Sequence, residues 1–192
     1  MDKVRIGIIG CGVIGQHHAA AAAACAHIEL VAVADLIKDR AQAMASQYDI
    51  PHVHSEGADL IAAGHVQGVV LAFPAVGRFD MARRAFARGL HVLTEKPAAM
   101  HADQVRQLIA DRGNLVAGCC CARYRFLESS QVITDFVAQG HLGALRSIHC
   151  RAIRPGGPPP KNPPPIWRLR TDLNGGGIMS NWGCYDLDYL LG

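Results

Sequence analysis

Apolar residues in the first 120 positions fall into short β-branched runs that alternate with longer stretches of helical spacing. Residues 4–9, VRIGII, read as a strand ending at glycines, and 13–25, rich in alanine, as a helix. The alternation continues with a strand at 28–35 (IELVAVAD), a helix at 36–48, a strand at 66–73 (VQGVVLAF) and a helix near 78–88 closed by Gly89. A strand at 90–95 (LHVLTE), a helix near 102–112 and a strand at 114–121 (NLVAGCCC) follow. Strands this continuously apolar are buried on both faces, which predicts an α/β fold with a doubly wound parallel sheet.

After residue 122 the pattern changes. A helix is predicted near 127–139, ending at Gly140, and LRSIHCRAI (145–153) reads as a strand that alternates less cleanly. Seven of the ten prolines lie between 155 and 165, which excludes helix or central strand there and predicts an extended loop. Three glycines, 175–177, then open a helix carrying Asn181, Tyr185 and Asp188 down one side. Residues 1–122 are expected to form one domain, and 123–192 the start of an incomplete α+β domain.

Composition narrows the classes of partner. The net charge of +3 is small and its Lys and Arg residues are scattered, so nucleic acid is not expected as a partner. No apolar run reaches transmembrane length and the start, MDKVRIGIIG, lacks a secretory signal, so no membrane association is expected and the cytoplasm is the expected compartment. Seven cysteines without a CxxC pair fit reduced, mostly buried thiols, and no metal is expected, since His52 and His54 lack acidic or cysteine partners.

Candidate chemistry begins at Gly10-Cys11-Gly12-Val13-Ile14-Gly15, set between a strand and a helix. Gly10 allows the tight turn, Gly12 lets backbone approach a pyrophosphate, and Gly15 permits close helix packing; Val13 and Ile14 open the helix whose N–H groups face the phosphates. Asp35 closes the second strand 20 residues after Gly15, where its carboxylate can accept hydrogen bonds from a ribose diol. This is a Rossmann fingerprint. Asp35 would repel a 2′-phosphate and Leu36 follows it, so NAD is expected in preference to NADP, although Lys38 and Arg40 lie close by.

Glu95-Lys96-Pro97 sits at the C-terminal end of a predicted parallel strand, where open α/β sheets bind ligands. With the glycine loop, Asp35 and this turn in order, the chain resembles the glucose-fructose oxidoreductase/inositol dehydrogenase (Gfo/Idh/MocA) family. The resemblance implies that Phe73, Pro74, Glu95 and Lys96 line the cofactor and that Lys96 also meets the substrate. It also implies that Tyr124, in the crossover after the strand at 114–121, can line the substrate site. Where the family shows Asn, and His three residues later, this chain has Ala75 and Arg78, so the side-chain hydrogen bonds of that loop are expected to differ.

The glycine-opened terminal helix resembles the family's substrate motif, in which Asp and His serve as substrate ligand and proton acceptor; here those places hold Asn181 and Tyr185. Tyr185 is then the expected general base, assisted by Lys96, because an unperturbed tyrosine with a pKa of ~10 is a poor base at neutral pH. The family implies an NAD-dependent oxidoreductase acting on a secondary alcohol or ketone of a sugar, cyclitol or polyol. Its alternatives are a lyase or hydrolase that recycles NAD, and a nucleotide-binding module without catalysis. A small-molecule substrate is expected throughout, a homo-oligomer is expected of a full-length member, and the chain reads as a truncated one.

Overall fold

The computed structural model describes residues 2–151, 153 and 165–192. Six parallel strands form one sheet in the order β3-β2-β1-β4-β5-β6: β1 (Val4–Ile9), β2 (Ile28–Ala34), β3 (His52–His54), β4 (Gly68–Leu71), β5 (His91–Thr94) and β6 (Ala117–Cys119). The order reverses between β1 and β4, which makes the crevice beyond their C-terminal ends the ligand site of such a sheet. Helices α1 (Val13–Ala24), α2 (Lys38–Tyr48), α3 (Gly57–Ala62), α4 (Arg78–Ala87) and α5 (Ala102–Asp111) connect the strands.

The core lies on both faces of the sheet, as continuous apolar strands require. Ile9, Leu60, Leu71, Phe86 and Val92 pack on one side, and Ile8, Val33, Met44, Ile50 and Val70 on the other. Adjacent residues Ile8 and Ile9 therefore feed opposite cores, through the two-residue period of a strand. The alanine run of α1 buries Ala19 and Ala22 and keeps no bulk between helix and sheet.

Two short elements, β3 and α3, were not predicted; three and six residues are too few for a periodic signal. The predicted strand at 145–153 is not one: among its described residues no strand forms and every one is exposed. Its described residues pair with neither edge strand of the sheet, β3 or β6, and a strand without a partner leaves its backbone groups unpaired.

Beyond β6, a 3-10 turn (Ala122–Phe126) leads to α6 (Glu128–Ala138), and a second one (Ile166–Leu169) precedes α7 (Thr171–Asn174). The terminal helix begins as a π-turn, Met179–Gly183, and continues as α8, Cys184–Leu191. Among the described residues past 122, only Ser130, Gly183 and Tyr185 are buried. The proline-rich stretch lies outside the described residues except for Pro165.

His54, on edge strand β3, gives the fold a pH dependence. Burial, then the neighbouring His65 and His52, hold its pKa below 6.5, and its Nε2 is buried without a partner among the described residues. A histidine kept neutral in the folded state binds fewer protons than in the unfolded chain, so its contribution is present above the unfolded pKa of about 6.5 and is lost as pH falls through it towards the folded value. Urea midpoints at pH 5.5 are therefore expected below those at pH 7.5, and His54→Gln is expected to flatten that difference; an equal pH dependence in the variant would contradict the assignment.

Candidate active site

The glycine loop is shaped by backbone contacts. Gly10 adopts a φ of +99°, and a Cβ there would stand 2.6 Å from the Ala72 carbonyl; one on Gly15 would collide with the Gly10 carbonyl. A Cβ on Gly12, in contrast, would meet nothing within 4 Å. Protein packing leaves that space open, over the first turn of α1, where N–H groups lack intrahelical acceptors and the helix dipole is positive. This is a cradle for an anionic group, and the residues fit the pyrophosphate of a dinucleotide. Val13 and Ile14 are exposed at its rim.

Asp35 lies beside the loop, just past β2. Its Oδ2 accepts the Cys11 N–H at 2.7 Å and its Oδ1 the Ile37 N–H at 2.8 Å, so one carboxylate ties the glycine loop to the turn into α2. Each oxygen keeps a lone pair for a ribose hydroxyl. The Cys11 thiol is buried, and burial with the Asp35 charge pushes its pKa up to about 12, so it remains a thiol.

The second wall is the turn after β5, where the Lys96–Pro97 peptide is cis. Arg78, at the start of α4 and almost fully buried, holds this turn. Its Nε donates to the Phe73 carbonyl at 2.7 Å, and one Nη donates to the carbonyls of Glu95 at 2.8 Å and Pro97 at 2.6 Å. Phe73, with Pro74 following it, is thus fixed against the Glu95-Lys96-Pro97 turn through its carbonyl. Burial lowers the Arg78 pKa to about 10, against the pull of Glu95, and it stays charged at neutral pH. Sequence reasoning noted Arg78 only as a departure at a family position and missed this clamp.

Glu95 is buried behind Lys96. Its Oε1 lies 3.1 Å from His18 Nε2, and its Oε2 accepts the Lys96 N–H at 3.1 Å. Burial works to raise its pKa, but those hydrogen bonds and the charges of His18 and Arg78 outweigh it and hold the group below 4.5. Of the two histidines after the glycine loop, His18 therefore turns inward while His17 is exposed.

Lys96 reaches the terminal helix. Its Nζ donates to the Asn181 carbonyl at 2.9 Å and to Asn181 Oδ1 at 2.7 Å, and lies 5.2 Å from the centre of the Tyr185 ring. Burial lowers the Lys96 pKa below 10.5. Arg123 approaches the same ring, with its Cζ 4.9 Å from the centre, and the Tyr124 and Trp182 rings pack at 5.7 and 6.0 Å. Tyr185 is 8% exposed overall, yet its hydroxyl bonds to nothing among the described residues and is not among the buried unpartnered atoms, so it reaches open space.

Asp188 does not join Asn181 and Tyr185 at Lys96: its Oδ2 accepts from Arg125 Nε at 2.7 Å and its Oδ1 from the Cys121 thiol at 3.4 Å. Burial pushes the Tyr185 pKa above 10 and Arg123 opposes that shift, while Lys96 stands over the ring and gives two of its N–H groups to Asn181.

A glycine cradle at the sheet's switch point, an acidic residue beside it and a lysine turn opposite define a protein with the Rossmann dinucleotide-binding arrangement. Comparison with known proteins agrees. The chain belongs to the Gfo/Idh/MocA oxidoreductase family: residues 4–114 match its family model, described as an oxidoreductase family with an NAD-binding Rossmann fold, and 130–192 match the family's C-terminal domain. It is 31% identical to the rhizopine catabolism protein MocA of Rhizobium meliloti, over 99% of this chain and 57% of that one. It is 32% identical to the dTDP-3,4-didehydro-2,6-dideoxy-alpha-D-glucose 3-reductase of Streptomyces violaceoruber, over 96% of this chain and 52% of that one. Among solved structures it resembles a variant of the 3-ketoreductase KijD10 from Actinomadura kijaniata in complex with TDP-benzene and NADP, with a TM-score of 0.75 and 25% identity, over 94% of this chain and 54% of that one. The chain spans about half the length of the curated relatives it matches. Among the described residues, no helix is long and apolar enough to cross a membrane.

Proposed function

We propose that this site interconverts a ketone and a secondary alcohol on a sugar or cyclitol, with NADH preferred to NADPH and Tyr185 exchanging the proton. The observation that carries the reading is the meeting of Lys96 with Asn181 and Tyr185, which brings the lysine turn together with a helix 85 residues further along the chain. When bound, the nicotinamide supplies or accepts the hydride. Asp35 favours a free 2′-hydroxyl on the ribose, because its carboxylate would repel a phosphate there. Residues 1–122 form the cofactor side in this reading, and 123–192 contribute the first part of the substrate side.

Lys96 and Asn181 orient the substrate oxygen, the ammonium by charge and the amide by hydrogen bonding. Tyr185, with its pKa raised by burial, keeps its proton at neutral pH and presents it from a hydroxyl that has no partner among the described residues. This favours a proton donor in the direction of reduction; the base role in oxidation is its microscopic reverse. The names of two relatives, a 3-reductase and a 3-ketoreductase, support the same direction.

The test is NADH consumption by the purified chain, followed by nicotinamide absorbance against a panel of ketosugars and ketocyclitols. Steady oxidation with at least one member, absent without substrate, is expected. NADH that binds but is consumed with none of them would contradict the reading.

A further inference from the structure

Three side chains of different chemistry converge where α1, the end of β5 and the end of β6 meet. His18, Glu95 and Cys120 each bring one ligand-type atom to within 4.8 Å of the other two, and all three are shielded from solvent to a similar degree. They are the only such group of three among the described residues. Imidazole, carboxylate and thiolate are zinc ligands, and three protein ligands with an open fourth position are a common zinc arrangement. Bond lengths of about 2.0–2.3 Å put tetrahedral ligand atoms about 3.3–3.8 Å apart, so closure from the present spacing takes rotamer movements on the order of 1 Å.

The surroundings suit an ion. Glu95 is already aimed by the Lys96 N–H on its Oε2, which leaves Oε1, now facing His18, for the metal; such outer hydrogen bonds fix a ligating carboxylate. Arg78 directs its Nε and one Nη at the carbonyls of Phe73, Glu95 and Pro97, and its charge favours the anionic forms of Glu95 and Cys120. We propose that His18, Glu95 and Cys120 form a binding site for a thiophilic divalent cation of the zinc type. The ion replaces the His18–Glu95 hydrogen bond, accepts the Nε2 lone pair and displaces the Cys120 proton to solvent, and water completes the shell. Two anionic ligands then balance the charge of the ion.

The test is a cadmium titration of the cofactor-free chain, with the exposed Cys150 replaced by serine, read by the thiolate-to-cadmium charge-transfer absorbance. A saturable band with one ion per chain is expected. Cys120→Ser abolishes it, His18→Ala weakens binding by about tenfold or more, and Cys184→Ser leaves it unchanged; circular dichroism checks that each variant is folded. No saturable band, or a band of unchanged affinity in folded Cys120→Ser or His18→Ala, overturns the proposal. The titration uses neither nicotinamide nor sugar, so its failure leaves the oxidoreductase reading intact.

Discussion

Tyr185→Phe lowers turnover of a ketosugar substrate by about 10²- to 10⁴-fold, the usual range for a positioned proton donor, and leaves the fold and NADH affinity close to those of the parent. The two halves of this expectation come from different parts of one side chain. The ring is buried among Tyr124, Trp182, Lys96 and Arg123, and phenylalanine keeps all of those ring contacts. Among the described residues the hydroxyl has no hydrogen bond to lose, so its removal strands no partner among them. A loss of activity in the variant is then a loss of proton transfer. Turnover within a factor of three of the parent would show that the proton comes from elsewhere.

Arg78→Met destabilises the chain by about 3–5 kcal/mol, the range for removing one partner of a buried charged network, and shifts its urea midpoint down accordingly. Methionine keeps much of the apolar volume but none of the donors. The Phe73, Glu95 and Pro97 carbonyls each lose a charge-assisted bond of 2.6–2.8 Å, and an unsatisfied buried acceptor costs about 1–3 kcal/mol. The loss is a large share of the ~5–15 kcal/mol that keeps a domain folded. Arg78→Lys recovers part of it, since an ammonium cannot reproduce the fixed fork of a guanidinium. Unfolding equilibria of the three proteins test this, and a methionine variant as stable as the parent would mean that water replaces the clamp at no cost.

The parts of the site legible in the sequence were those set by local backbone chemistry. The glycine loop, Asp35 and the Glu95-Lys96-Pro97 turn lie where strand ends and spacing predict them, because each follows directly from the strand before it. Strand ends were less legible: 66–73 shrinks to Gly68–Leu71, since apolar residues continue into the loop after the pairing stops. Arg78 could be recognised as unusual, but its three acceptors are set by the close approach of two loops. Asp188 shows the same limit. Its place on the polar stripe is a matter of helical spacing, whereas its pairing with Arg125 depends on a contact across 63 positions, and no local pattern encodes it. The region past 140 was read least well, because a single weakly alternating run cannot specify a strand without its neighbours.

The central claim is that this chain holds a nicotinamide dinucleotide through its glycine cradle and Asp35. Fluorescence titration of the purified chain with NADH and NADPH, repeated with Asp35→Ala, tests it most directly. Saturable binding that favours NADH, with the preference reduced or reversed in the variant, is predicted. Failure of a folded chain to bind either nucleotide would contradict the claim.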